Sequence, residues 1–220
     1  MKVKALLLSL LAFATVASAQ NGKTNSPLAP FMELIKKPFT APEGVTGSPL
    51  LFEDYQSGKI WLATQPNNAV NASINYNLEK QLVVVKLPNG NQGTIALKHV
   101  KGFEVNVGPQ LWKFEVAADV ATAGSKTMKC YQVLHNSKNV FYKYAEKKVE
   151  TINGRQVLKM RATYFLKPAG KGFQKVELSQ ASIEKAMPQY VKQIRTFVKQ
   201  QPSSIFNETV IVNLLRYLEQ

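Results

Sequence analysis

The chain has 220 residues, of which 45% are hydrophobic, and this is enough for one sizeable domain or two small ones. Lys and Arg number 28 against 14 Asp and Glu, which gives a formal net charge of +14, although charged residues make up only 19% of the chain. These figures exclude an acidic disordered tail and a coiled coil, and a single cysteine excludes a disulfide-rich scaffold.

The first nineteen residues predict a secretory signal peptide. Residues 1–4 give a short positive start, residues 5–16 form an apolar run, and residues 17–19 are Ala-Ser-Ala, a small-residue cleavage pattern. An uncleaved membrane anchor is the alternative, but the run is too short to cross about 30 Å of hydrocarbon as a helix. We therefore expect cleavage between Ala19 and Gln20, export to the periplasm or the exterior, and no transmembrane segment afterwards.

Residues 20–48 indicate an extended, proline-rich segment. Its four prolines are spaced too closely for a sheet strand or a long helix. One apolar helical turn, formed by Phe31, Met32, Leu34 and Ile35, is expected to dock on the body of the protein.

Residues 49–178 indicate a β-rich domain. Residues 70–78 alternate well, with apolar side chains on one face and mostly asparagine on the other. Turn signals at residues 88–91, at residues 136–139 and at Asn153-Gly154 separate the apolar runs, which is typical of antiparallel meanders. The predicted strands cover residues 59–64, 70–78, 81–87, 94–97, 103–107, 111–117, 130–135, 140–146, 156–166 and 173–178.

Residues 179–220 change to a helical period. One apolar stripe recurs within residues 187–198 and a second within residues 210–218, and Asn207 is placed to cap the second helix. We expect the two stripes to pack on each other or on the sheet. The alternative is that they dock on a partner.

The positive charge is concentrated in the second half of the chain. Residues 20–120 contain 9 Lys and Arg against 8 Asp and Glu, whereas residues 121–220 contain 17 against 6. If the strands from residue 140 onward pair as hairpins, cations of one parity share a surface with three phenylalanines and could attract a polyanion. An ordinary solvated face that protects edge strands from aggregation is the alternative. The candidate anion-binding residues are Lys143, Lys147, Lys159, Arg161, Lys167 and Lys175, with Phe141, Phe165 and Phe173 beside them.

No motif indicates a catalytic, metal or cofactor site. The two histidines, His99 and His135, lack a second ligand at metal-binding spacing, and neither a phosphate loop nor a nucleophile elbow occurs. Cys130, which has no disulfide partner in the chain, is expected to be a small, half-buried strand residue. On a regular strand it and His135 point to opposite faces, which argues against a catalytic pair. A hydrolase site that uses Asp54, Glu53 or His99 is the remaining enzymatic alternative.

Several short motifs resemble a group of small exported proteins of Gram-negative bacteria. They are Gly47-Ser48-Pro49-Leu50-Leu51-Phe52, Gly58-Lys59-Ile60 and Asn75-Tyr76-Asn77, followed by a β-rich middle and a basic C-terminal helical pair. The resemblance covers about residues 47–220. It implies the compartment and the layout, and it transfers no function and no site residue.

The sequence thus predicts a mainly β protein, α+β overall. About ten antiparallel strands form a meander-type sheet, either a sandwich or an open barrel, and a C-terminal pair of α-helices in residues 179–220 packs on it. The expected function is non-enzymatic binding in the bacterial envelope, in which the basic face contacts an anionic envelope polymer or another envelope protein, and no nucleic acid. The alternatives are the hydrolase and an assembly subunit that docks through its C-terminal helices. Ligand, partner and oligomeric state do not follow from the sequence.

Overall fold

The computed structural model describes residues 33–35, 43–87, 90, 92–201 and 205–220. The predicted signal peptide with its cleavage site at Ala19 and Gln20 lies outside these residues, as do Phe31 and Met32. Within the described part, eleven strands form one sheet. They are β1 (Val45–Thr46), β2 (Gln56–Leu62), β3 (Gln65–Asn77), β4 (Leu82–Lys86), β5 (Gln92–Ala96), β6 (Val100–Val107), β7 (Gln110–Ala118), β8 (Met128–Asn136), β9 (Val140–Ile152), β10 (Arg155–Lys167) and β11 (Gln174–Val176).

Three α-helices follow the sheet in the chain. They are α1 (Gln180–Ala186), α2 (Val191–Lys199) and α3 (Glu208–Leu218). The side chain of Asn207 accepts a hydrogen bond from the backbone N–H of Val210 at 3.0 Å, so the predicted cap is confirmed. Pro188 begins a 3-10 turn between α1 and α2, because its missing N–H costs nothing at a helical start.

The strand order is β1-β10-β9-β8-β7-β6-β2-β3-β4-β5, with β11 also beside β10. Strands β2–β5 and β6–β10 are two antiparallel meanders, joined where β2 pairs with β6. The short β1 is parallel to β10. In the described part of the chain β5 does not pair with β10, so the sheet is open. The predicted mainly β, α+β fold is confirmed, and the described strands form one open sheet.

One face of the sheet, the inner face, carries most of the buried apolar side chains of strands β2–β8. On β3 the predicted alternation places Ile74 and Tyr76 on this face, where both are buried. Tyr76 lies opposite Val83 of β4, and the rings of Phe103 and Phe114 stack with centroids 4.5 Å apart. The inner face therefore carries the main hydrophobic core.

The sheet curves so that its inner face encloses this core. The turn after β3 reaches β9, where the backbone N–H of Lys147 donates to the carbonyl oxygen of Leu78 at 3.0 Å. The Gln81 side chain donates to the carbonyl oxygen of Ala145 at 3.3 Å. These bonds connect strands that are far apart in the strand order, so the inner faces of the two meanders meet.

Glycine permits the closest approach between β2 and β6. A Cβ atom at Gly58 would lie 2.0 Å from the carbonyl oxygen of Glu104. No other residue fits there without displacing a strand, because the obstructing atom belongs to the backbone.

The segment before β2, residues 49–54, forms a strap along the end of β3. The backbone N–H of Leu51 donates to the carbonyl oxygen of Tyr76 at 2.8 Å. The buried Asn75 side chain accepts from the backbone N–H of Phe52 and donates to its carbonyl oxygen. Leu51 and Phe52 pack against the core, so the strap covers part of the inner face.

The helices cover the inner face at the β9–β11 end. Their apolar stripes form a second core with side chains of these strands. The buried members are Phe141, Leu166, Val176, Ile183, Ala186, Met187, Ile194, Phe197, Ile211, Leu214 and Leu215. The stripes that could have served a partner thus pack on the chain's own sheet.

Glu219 links the end of α3 to the β8–β9 hairpin through hydrogen bonds. Its carboxylate accepts hydrogen bonds from the backbone N–H and the side-chain amide of Asn139, both at 2.9 Å, and lies 3.0 Å from His135 Nε2. Asn139 in turn accepts from the backbone N–H of Ala169 at 3.1 Å. The C-terminus, the β8–β9 turn and the loop after β10 are joined at this point.

The β9–β10 hairpin has a two-residue turn at Asn153-Gly154. Both residues have positive φ, 51° and 75°, as a type I′ turn requires. On its other edge β10 has β1 beside Gln156 and Val157, and β11 beside residues 164–166. Between these contacts, no strand in the described part of the chain pairs with that edge.

Candidate ligand-binding cavity

The hairpin register sets which residues of β9 and β10 share a face. Ile152 lies opposite Arg155, so odd-numbered residues of β9 share a face with even-numbered residues of β10. Lys143 and Lys147 therefore lie on the inner face. The expectation that six cations share one surface is wrong, because only four of them, Lys159, Arg161, Lys167 and Lys175, lie on the outer face.

The two inner-face lysines are engaged by the protein itself. Lys147 Nζ donates to the carbonyl oxygens of Ser48 at 2.8 Å and Leu50 at 2.6 Å, which holds the strap, and burial lowers the pKa of Lys147. Lys143 Nζ lies 2.8 Å from Glu208 Oε1 in the first turn of α3. Neither lysine is available to a polymer on the outer surface.

The outer-face cations are partly neutralised. Arg161 donates to Glu150 Oε1 through Nε at 3.0 Å and Nη2 at 2.6 Å, and Lys159 Nζ lies 3.6 Å from the same carboxylate. The hydrogen bond from Arg161 lowers the pKa of Glu150. Lys167 lies over the ring of Phe173, 5.6 Å from its centroid, while Lys175 is exposed.

Two of the phenylalanines expected on the basic surface are buried instead. Phe141 packs under the helices on the inner face, and Phe165 packs with Tyr131 and Tyr142 on the outer face. Both faces of β9 and β10 are therefore covered near Phe141 and Phe165. The alternation of residues along a strand shows which face a side chain lies on, but not whether that face is covered.

The residues of the hydrolase alternative lie on separate elements. Glu53 and Asp54 are exposed in the strap, and His99 lies in a 3-10 turn between β5 and β6. Within the described ranges no hydrogen bond joins the three residues, and no group of three His, Cys, Asp or Glu side chains could hold a metal ion.

A partly enclosed cavity lies between the strap and the inner face. Its volume is about 250 Å³, and most of its lining is apolar or aromatic. Phe52 of the strap and Trp112 of β7 contact each other across it, with ring centroids 5.7 Å apart. The lining residues are Leu51, Phe52, Tyr76, Leu78, Val107, Trp112, Phe114, Cys130, Gln132, Lys143, Ala145 and Met160.

Two polar side chains, Gln132 and Lys143, stand together in this lining. They are direct cross-strand partners on β8 and β9. Glu208, the partner of Lys143, also accepts a hydrogen bond from Tyr164 at 2.7 Å. Burial, followed by this bond to Glu208, raises the pKa of Tyr164, so the phenol keeps its proton and acts as a donor.

The cavity opens to solvent between the helices and the strap. Met160 on its rim is 49% exposed, and the neighbouring Ala162 is also exposed. A groove of about 500 Å³ between β7, β8 and the first turns of α3 shares Trp112 and Gln132 with the cavity. The polar side chains thus stand where the cavity meets this groove.

A larger groove, of about 700 Å³, crosses β2, β3 and β6 elsewhere on the sheet. Its charged lining residues are Lys59, Lys86 and Glu104, of mixed sign, and its lining is about as polar as it is apolar. The smaller cavity has the combination that small-molecule sites favour, an apolar wall with a few convergent polar groups.

Cys130 lies in the cavity wall and is only 2% exposed, more deeply buried than expected. Burial raises the pKa of its thiol. A β-bulge between Val133 and His135 turns His135 to the inner face as well, so the prediction of opposite faces is wrong. His135 nevertheless contacts Glu219 rather than Cys130.

Reasoning from the sequence missed the cavity. The alternation of Trp112, Phe114 and Val116 on β7 was a signal of an aromatic inner face. The strap over it was not predictable, because residues 49–54 have no periodicity of their own.

No helix in the described part of the chain has the length and apolar character needed to cross a bilayer. Comparison with family models, curated proteins and solved structures finds no match for the chain.

Proposed function

We propose that this chain is an exported, non-enzymatic binding protein that holds a small apolar ligand in the inner-face cavity. The observation that carries the proposal is the apolar space of about 250 Å³ beneath the strap, open to solvent beside Met160. The signal-peptide pattern of residues 1–19 supports export.

The size and the lining of the cavity limit the ligand. At about 30 Å³ for each water-sized group, the space takes roughly eight such groups, which suits a short alkyl chain or a small aromatic ring system. Water makes few hydrogen bonds against such walls, and an unfilled void forfeits dispersion contacts that an apolar ligand restores.

The contacts of the basic side chains favour the cavity over the outer face. Arg161 and Lys159 already share Glu150, so a polyanion would compete with an existing ion pair. Recognition of an anionic polymer, through the exposed Lys167 and Lys175, stays a prediction.

Fluorescence tests the proposal directly, because Trp112 lies in the cavity wall and the chain has two tryptophans. In a Trp61→Phe variant, saturable binding of the neutral probe N-phenyl-1-naphthylamine is expected to quench Trp112 by energy transfer. Ala145→Leu fills the cavity from its wall and is expected to weaken probe binding about tenfold, or about 1.4 kcal/mol, because the larger side chain takes up space that the probe needs.

Ala181→Leu is the matched control, because Ala181 is exposed on α1 and does not line the cavity. Equal probe affinity in both leucine variants, with both folded by circular dichroism, would contradict the proposed site. A saturating ligand is also expected to raise the melting temperature of the unaltered protein, since it binds only the folded state.

A further inference from the structure

We infer that the ligand is an amphiphile with an anionic head, a carboxylate on a short apolar tail, and that Lys143 and Gln132 bind the head. The inference rests on the proposed function and specifies the chemistry of the same cavity. Three features of the polar end of the cavity carry it.

The polar groups are placed together at one end. Gln132 and Lys143 face each other across β8 and β9, whereas the strap, β3 and β6 supply only aliphatic and aromatic side chains to the lining. A ligand that fills the cavity with its tail therefore has one place for a polar head, beside these two side chains.

Both side chains have hydrogen-bond donors to spare. Within the described residues, Lys143 has the carboxylate of Glu208 as its acceptor, which leaves two of its three N–H groups, and the Gln132 amide makes no hydrogen bond. The side chain of Lys143 is 16% exposed, so water reaches it only in part. A carboxylate offers acceptors to the ammonium and the amide together.

The carboxylate of Glu208 competes with an anionic head for Lys143. It holds Lys143 at 2.8 Å and is itself held by the Tyr164 hydroxyl at 2.7 Å. A ligand carboxylate shares Lys143 with Glu208 and is repelled by it. Removing the charge of Glu208 should therefore strengthen the binding of an anionic ligand, whereas removing the charge of Lys143 should weaken it.

The opposite sign of these two effects separates ligand binding from a structural role. If the Lys143–Glu208 pair served only to hold α3 on the sheet, neutralising either partner would affect the protein in the same direction. Glu208→Gln keeps an oxygen that can accept from Tyr164, and Lys143→Met keeps most of the length of the stem, so both variants preserve packing.

The test compares three ligands whose main chain has ten carbons, decanoate, decanol and decyltrimethylammonium, each displacing N-phenyl-1-naphthylamine from the purified protein. Decanoate is expected to bind at least about tenfold more tightly than decanol, because hydrogen bonds to a charged group are stronger than those to a hydroxyl. The cation is expected to bind most weakly of the three, because Lys143 repels it. Lys143→Met should abolish the preference for decanoate, Glu208→Gln should increase it, and Lys199→Met, a change at an exposed lysine outside the cavity, should leave it unchanged.

Equal affinities for decanoate and decanol, or effects of the same sign in Lys143→Met and Glu208→Gln, would overturn the anionic head while the apolar cavity site stands. Failure of the unaltered protein to bind the neutral probe would overturn the cavity site and the inference with it. If Lys143→Met failed to fold, Glu208→Gln and the comparison of the three ligands would still decide.

Discussion

Glu219 holds the end of α3, and its replacement by alanine tests how firmly the helices are fastened to the sheet. The carboxylate accepts two hydrogen bonds from Asn139, which is only 2% exposed, and contacts His135. In Glu219→Ala the two Asn139 donors lose their acceptor. At about 1–3 kcal/mol for each of the two orphaned donors, we expect the free energy of unfolding to fall by about 2–6 kcal/mol.

The loss of folding free energy in Glu219→Ala should depend on pH. Burial opposes ionisation of Glu219, but the hydrogen bonds from Asn139 and His135 outweigh it and hold its pKa below the usual value. A carboxyl with a lower pKa in the folded than in the unfolded state stabilises the fold above the unfolded pKa. That contribution disappears as the pH falls through the folded pKa. The difference between the unaltered protein and the variant is therefore complete at neutral pH and shrinks on acidification below about pH 4.

Urea denaturation followed by circular dichroism at neutral and acidic pH measures both effects. The melting temperature at neutral pH should fall by about 4–24 °C, at about 2–4 °C for each kcal/mol in a chain of this size. Glu177→Ala, which removes an exposed carboxylate, is the control that changes little. A loss of stability below about 0.5 kcal/mol, or one of equal size at both pH values, would refute the reasoning.

Three further experiments test other parts of the structure. Gly58→Ala should destabilise the protein by about 1–3 kcal/mol in urea denaturation, because the new Cβ meets the carbonyl oxygen of Glu104, and an unchanged midpoint would mean that the two strands separate easily. Cys130 should react with a thiol reagent only slowly until denaturant is added, since it is buried and its pKa is raised, and rapid labelling of the native protein would contradict its burial. Arg161→Ala should leave the melting temperature almost unchanged, because its ion pair with Glu150 is exposed to solvent, and a clear drop in thermal denaturation would contradict this.

The regular elements were accessible from the sequence because their signals are local. The alternation along β3 and the cap at Asn207 each depend on a few neighbouring residues, and both are confirmed. The two-residue β1 was missed, since its pairing with β10 is set by residues more than a hundred positions away.

The turn between β9 and β10 is enough to show which of the basic side chains share a face of the sheet. A two-residue turn at Asn153-Gly154 places residue 152 opposite 155, so the cross-strand pairs have opposite parity. Since Lys143 and Lys159 are both odd-numbered, the turn alone is enough to assign them to opposite faces of the sheet. The position of Glu208 beside Lys143, by contrast, follows from how α3 packs on the sheet, and nothing in the sequence near either residue indicates it.

The uncovered stretch of β10 between β1 and β11 bears on how the protein avoids self-association. A free strand edge is a template for an incoming strand from another copy, and the remedy that natural sheets use is a short edge that carries cations. Here the open stretch spans residues 158–163 and bears Lys159 and Arg161, both exposed. The positive charge at these two positions is therefore expected to oppose pairing with another copy. Neutral substitutions there are expected to raise the light scattering of concentrated solutions before they change the melting temperature.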